Sequence, residues 1–306
     1  MKKQTETARG ETGFFRQLWR DRLAYLLVGP YFILFTIFTV LPVVVSLVLS
    51  FTSFNLLESP VFIFLDNYRR LFFEDDIFPI AVKNTLLFAA VIGPLSYLLS
   101  LLLAWLINDM GRLRPLITLI FYAPSISGNA YLIWTLFFSG DAYGYANGFL
   151  MKLGVINTPI LWLKDPTYMP MILIIVSLWV SLGAGFLSFI AGFQGVDKTY
   201  YEAAAIDGVT NRWQELWFVT LPLMKPQMTF GAVMSISGSF GIGALVTGLF
   251  GNPSTDYALH TLTNHLEDYG GTRYEMGYAC SIAFILFIMM VTFNVVFRKL
   301  IERVGS

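Results

Sequence analysis

The chain carries few groups that could do covalent chemistry. Its two histidines, His260 and His265, stand five residues apart in a hydrophilic segment, and its one cysteine, Cys280, lies alone in an apolar stretch. With no third ligand at a metal-site spacing, the histidines read as solvated side chains and no metal site is expected. No G-x-x-x-x-G-K-[ST] string occurs, so nucleotide phosphates have no P-loop to occupy, and no catalytic constellation is present. Two other residue sets invite non-covalent chemistry. Ser177, Ser181, Gly185 and Ser188, and then Gly231, Ser235, Gly238 and Ser239, recur at spacings that place them along helix faces. Such faces offer hydroxyls to an uncharged polar solute; the same small residues also serve close helix–helix packing. Tyr122, Asn129 and Trp134 join them near the run P-S-I-S-G-N at Pro124–Asn129, which suggests a break.

The elements that position these residues are membrane helices. Hydrophobic residues make up 56% of the chain and charged residues 13%, with a mean hydropathy of +0.65. A soluble domain carries about 25% charged residues. Six stretches hold no Asp, Glu, Lys or Arg: Leu23–Phe51, Asn84–Asn108, Leu116–Phe138, Met169–Phe193, Gln227–Phe250 and Met276–Phe297. Each exceeds the roughly 20 residues needed to span a bilayer, where backbone groups must bond internally and helices result. The first is too long for the core of a cleaved signal and reads as retained. The expected fold class is therefore an all-α polytopic membrane protein with six transmembrane helices. With the N-terminus placed in the cytoplasm, the inner segments hold 14 Lys/Arg and 9 acidic residues, and the outer segments 6 and 11. That asymmetry follows the positive-inside rule and puts both termini in the cytoplasm.

Between the spans, the outer segment Thr52–Lys83 carries F-L-D-N-Y-R-R-L-F at Phe64–Phe72, which suits a short interfacial helix. The outer segment Ser139–Tyr168 is rich in Gly, Pro and Trp, and the acidic residues of the outer segments read as a solvated face. The inner segment Gln194–Pro226 is long. Tyr200–Asp207 holds the helix formers Glu202, Ala203, Ala204 and Ala205, with Gly208 as a stop. A second helical stretch, Asn211–Val219, has Asn211 as a possible cap and Leu221-Pro222 as its end. Such a helix–turn–helix either docks a partner or rests on the bilayer. An ion-coupled transporter would place ionisable residues at membrane depth, and an intramembrane enzyme would place a serine, histidine or acid pair there. The six spans hold no Asp, Glu, Lys or Arg and, toward an enzyme, only scattered serines. A membrane-anchored structural or receptor subunit stays open on these grounds.

The string Tyr200–Thr210, closing with T-L-P-L-M-K-P at Thr220–Pro226, resembles the EAA loop of ABC-importer permeases. Glu202, Ala203 and Ala204 match the first block, Gly208 the glycine, and Leu221 and Pro222 the end; one residue more than the commonest spacing separates Gly208 from Leu221. Asp207, Trp213-Gln214 and L-D-N-Y-R at Leu65–Arg69 are similar to the carbohydrate branch. The resemblance covers essentially the whole chain and implies the type I importer permease fold. It divides the chain into a cytoplasmic N-terminal segment (1–22), a first helix with its outer segment (23–83), a core permease domain (84–299) containing the coupling loop (194–226), and a cytoplasmic tail (300–306). It implies a bacterial cell (inner) membrane location, a second homologous permease, two ATPase subunits that bind ATP and Mg, an extracytoplasmic sugar-binding protein, contact with membrane lipid, and no nucleic acid. No cofactor belongs to this chain itself. Glu202, Ala203, Ala204, Asp207, Gly208, Leu221 and Pro222 would couple to the ATPase. Ser181, Gly185, Ser235 and Ser239, with Tyr122 and Asn129, would face a neutral sugar or oligosaccharide.

Overall fold

A computed structural model of the chain describes residues 22–302, with the side chains of 300–302 left aside; the remaining terminal segments named above lie outside the described residues. The first span is α1 (Arg22–Phe35), a π-helical turn (Thr36–Val40) and α2 (Leu41–Leu49), with no buried residue in any of the three. A two-residue hairpin follows, β1 (Thr52–Ser53) with β2 (Val61–Phe62). The interfacial helix expected from Phe64–Phe72 is α3 (Asp66–Phe73). It is tied inward by Asn67, whose amide donates to the Ser50 and Thr52 carbonyls at 2.9 Å each, and by fully buried Leu71.

The second span, α4 (Phe78–Asn108), is continuous and begins six residues earlier than its charge-free stretch. Asp75 explains the early start: its carboxylate accepts from the Ile77 and Phe78 amides at 3.0 and 3.1 Å, satisfying donors that a helix N-terminus leaves unpaired. Pro79 follows in the first turn, where its missing N–H costs nothing. Among the described residues, this span, the first and the last are the ones long and apolar enough to cross a membrane without a bend.

The three middle stretches depart from the straight helices the sequence suggests. The third is α5 (Arg114–Ile126), a turn at Ala130–Leu132 and α6 (Ile133–Phe137), bent by 90° at Ser127-Gly128-Asn129, where Gly128 takes φ +38°. After α7 (Tyr145–Lys152) in the outer segment, the fourth stretch is α8 (Met169–Val180) and α9 (Ala184–Gly195), bent by 47°. The segment between the fourth and fifth stretches holds α10 (Lys198–Ile206), α11 (Arg212–Gln214), a π-helical stretch (Glu215–Thr220) and α12 (Leu221–Leu223). The fifth stretch is α13 (Lys225–Phe240) and α14 (Gly243–Phe250), bent by 44°. Then come α15 (Leu262–Glu267) and the last span, α16 (Met276–Glu302). With each bent pair counted as one span, the chain crosses six times.

The core lies where α4, α9 and α13 meet. Phe186 and Phe189 on α9 are fully buried against Tyr97 and Ala104 on α4 and Met224 and Met228 beside and on α13. Glycines set these separations: a Cβ on Gly231 would stand 2.4 Å from the Phe189 ring, so α13 approaches α9 only with glycine there. A Cβ at Gly277 would stand 2.0 Å from the Thr52 carbonyl oxygen, which pins the start of α16 to the first outer segment.

Candidate functional site: a membrane cavity and a cytoplasmic docking loop

The helix breaks build a cavity of about 420 Å³. At the α8–α9 break, the Ser181 hydroxyl bonds back to the Leu178 carbonyl at 2.8 Å and the Gly183 amide to the Ser181 carbonyl at 2.8 Å, so the interrupted backbone is satisfied locally. Gly241 interrupts α13 and α14 in the same way. The lining combines Ser177, Ser181 and Gly185 with Ser235, Gly238 and Ser239. The two spaced sets therefore face one space. Ser96 from α4 and Ser125, Gly128 and Tyr131 from the bent third stretch complete the polar wall, and no charged side chain lines it.

Of the pathway residues expected from sequence, Ser181, Gly185, Ser235 and Ser239 lie in this lining, while Tyr122 and Asn129 do not. Tyr122 packs on the α4–α9–α13 core, and Asn129 is exposed at the 90° bend. Gly231 and Ser188 also fall outside. The packing role is visible beside the lining role: a Cβ on Gly185 would lie 3.4 Å from the Gly231 Cα, and one on Gly93 would lie 3.3 Å from the Ser239 hydroxyl. Most of the hydroxyls are spoken for by nearby carbonyls. These are Ser96, Ser125, Ser181 and Ser239, whereas the Ser177 Oγ is buried without a hydrogen-bond partner. Ser96, Ser125 and Tyr131 were missed from sequence because only the 90° bend and span 2 packing bring them to the cavity; the one sequence signal was the P-S-I-S-G-N break.

The cytoplasmic loop is a built structure. Asp197 caps α10 by accepting from the Thr199 amide at 3.0 Å. Gly208 takes φ +93°, which lets the Val209 amide reach back to the Ala204 carbonyl at 2.9 Å and stop the helix. Asn211 caps α11 through the Gln214 amide at 2.9 Å, and the Gln214 side chain accepts from the Thr210 amide at 2.9 Å. Leu221-Pro222 does not end this second stretch as expected. The helix runs on through α12 and turns only at Met224, because the widened π-helical stretch before it accommodates a proline that an α-helical turn would reject. Leu221 is buried, whereas Glu202, Ala203, Asp207 and Gly208 are exposed, with Ala204 and Pro222 half-buried. Ala203, Ala204, Asp207 and Pro222 line one hollow of about 390 Å³ with Tyr200, Val209 and Phe218. Ile206 is 87% exposed and Phe218 67% exposed beside it, and α10 buries no residue within the chain.

The expectation of solvated histidines is overturned, and among the acids Asp75 departs from the expected solvated face, its side chain being 6% exposed. His260 and His265 are each 2% exposed. His265 Nε2 lies 2.9 Å from Asp75 Oδ2, and its Nδ1 lies 3.2 Å from His260 Nε2. The same Asp75 oxygen accepts from the Tyr278 hydroxyl at 2.6 Å and the Tyr269 hydroxyl at 3.3 Å. Burial works to raise the Asp75 pKa, but the hydrogen bonds from His265 and Tyr278 and the attraction of His265 hold it well below the carboxylate range. Arg70 pairs with Glu275 and lies 4.3 Å over the Tyr278 ring. The physical reason is distance along the chain: Asp75 and His265 are 190 residues apart, so nothing local marks either as buried.

Comparison with known proteins agrees with this architecture. Residues 96–305 match the family described as binding-protein-dependent transport system inner membrane component. A relative in Bacillus subtilis, "Probable ABC transporter permease protein YesP", is 31% identical over 90% of this chain and 89% of its own length. The lactose transport system permease protein LacF of Rhizobium radiobacter is 31% identical over 88% and 91%. A chain of a bacterial ABC transporter involved in the import of the acidic polysaccharide alginate superposes with a TM-score of 0.76 at 22% identity, over 95% of this chain and 99% of that one, which gives the type I permease fold. On these grounds the chain belongs to the inner-membrane permease components of binding-protein-dependent ABC importers, whose ATP hydrolysis takes place in a separate subunit.

Proposed function

We propose that this subunit forms the pathway for a neutral sugar or oligosaccharide, with Ser181, Gly185, Ser235 and Ser239 in its wall. The supporting observation is a cavity of about 420 Å³ with several hydroxyls and no charged lining residue among those described. Such a wall can exchange hydrogen bonds with an uncharged polyol and offers nothing to neutralise an anion. The lactose permease among the relatives points the same way.

The loop carries the energy. Its ATPase-facing surface consists of Glu202, Ala203, Ala204, Asp207 and Gly208, fixed to α13 through Leu221 and Pro222. Ile206, Trp217 and Phe218 on this loop are exposed large apolar side chains, which supports a protein partner there. The full assembly contains two ATPase subunits binding ATP and Mg, a homologous second permease and an extracytoplasmic binding protein. Residues 84–299 serve as the core, with both termini in the cytoplasm. ATP binding closes the ATPases, the loop shifts as a rigid body, and the cavity turns from one side to the other.

Purification with the native neighbours, followed by ATPase assay, tests this reading. Wild type retains an ATPase subunit, and Glu202→Arg loses it or its coupling while eluting as a monodisperse species. Sugar transport by the wild type with no ATPase partner would leave an ion-coupled transporter as the better account.

A further inference from the structure

We propose that Asp109 and Arg212 form a clamp by which the docking loop pulls on α4, so that α4 is a second transmission route to the cavity. This rests on the reading of the loop as the ATPase-docking element. Between the loop and the inner end of α4 lies a space of about 500 Å³, lined by Asn108, Lys198, Tyr201, Glu215 and Thr220 among others. The two elements are therefore separated there, and two bridges span the gap beside the apolar cluster that Leu216 and Leu221 share with Ala104 and Ile107. Arg212, next to the Asn211 cap, pairs with Asp109, the residue that closes the C-terminus of α4. Beside it the rings of Trp213 and Trp105 lie 4.8 Å apart, inclined at 51°.

Both ends of the bridge are rigid. On the loop side, the Tyr201 hydroxyl and Thr220 Oγ1 are 2.9 Å apart, joining α10 to the end of the π-helical stretch, so that Glu202 and Arg212 belong to one body. On the α4 side, Arg114 donates to the Asn108 carbonyl at 2.6 Å and fixes the terminus that Asp109 continues. From Asp109, α4 runs about 20 Å to Ser96 and about 25 Å to Ile92 in the cavity wall. One turn beyond Ser96, Gly93 abuts the Ser239 hydroxyl, opposite on α13. A loop displacement thus reaches one side of the cavity through α9 and α13, which flank the loop, and the other through α4. The pair is exposed, 69% for Arg212 and 43% for Asp109. Such a pair is too weak to decide whether the chain folds, which makes it a positioning pair that can be removed cleanly.

The test uses the complex with its own ATPase subunits in proteoliposomes, in a Cys280→Ser background carrying Ser235→Cys as a reporter in the cavity. The readout is the rate of thiol labelling with and without ATP and vanadate. In the otherwise wild-type complex the rate changes by about fivefold or more, the scale of a typical coupling. Asp109→Arg and Arg212→Asp each abolish that change while the ATPase still co-elutes, and the double charge swap restores it. A change that persists in both single variants overturns the clamp and leaves the importer reading intact. A double swap that fails to rescue overturns the pairing. No response in the reporter complex itself removes the reading of this cavity as a pathway driven by the loop, and the clamp falls with it.

Discussion

Asp75 shows how much one side chain organises at the outer face. It caps α4, and it receives His265, Tyr269 and Tyr278 from segments about 200 positions later. His260 stands behind His265, with Asp268, Arg273 and Asp75 as the other charged groups acting on it. Burial first, and His265 second, push the His260 pKa down from 6.5 to about 4. The folded protein therefore holds this proton less readily than the unfolded chain. The stability contribution is complete above pH 6.5 and declines as pH falls toward 4, by up to about 1.4 kcal/mol per pH unit in that window. Asp75, held below its ordinary 3.8, extends the loss at still lower pH. Thermal unfolding in detergent between pH 7 and 4.5 should show this slope for wild type and a shallower one for His260→Gln. Equal slopes would mean that His260 is not buried neutral.

At the scale of elements, the informative features are where helices stop. The bends at Gly128, Ser181–Gly183 and Gly241 expose hydroxyls and backbone to a shared cavity, which unbroken helices would have kept apart. The contact between α9 and α13 depends on Gly231, since its hydrogen faces the Phe189 ring. Gly231→Ala is expected to lose about 1–3 kcal/mol through overpacking. Gly238→Ala, on the same helix with nothing within 4 Å of a new Cβ, is expected to be neutral or to gain about 0.5–1 kcal/mol from helix propensity. Unfolding of the two variants side by side separates packing from propensity. Equal losses would contradict the close approach of the two helices.

For the molecule as a whole, charge asymmetry is the basis for the proposed orientation. The outer segments carry 11 acidic against 6 basic residues, and the inner ones 9 against 14. In that proposed orientation Tyr143, 96% exposed after the third stretch, would face outward, and exposed Thr210 inward. In a Cys280→Ser background, an impermeant maleimide added to spheroplasts should label Tyr143→Cys at once and Thr210→Cys only after lysis. The reverse pattern would invert the topology and place the loop beyond the reach of a cytoplasmic ATPase.

The sequence by itself determined the membrane class, the six apolar stretches and the helix–turn–helix at 200–219, though not where its second helix ends, because hydrophobic length and helix stops are local properties. Gly208 was legible as a stop and Asn211 as a cap for the same reason, as each acts on amides within four residues. Serine and glycine spacing also marked the faces that line the cavity, but spacing does not distinguish Ser181, which lines it, from Ser188, which does not. Only the tertiary structure decided that the three middle stretches bend, that Tyr131 and Ser96 reach the cavity, and that Asp75, His260 and His265 are buried together. Those outcomes depend on contacts between segments far apart in sequence, and such contacts leave no periodic or local signature in the residues that make them.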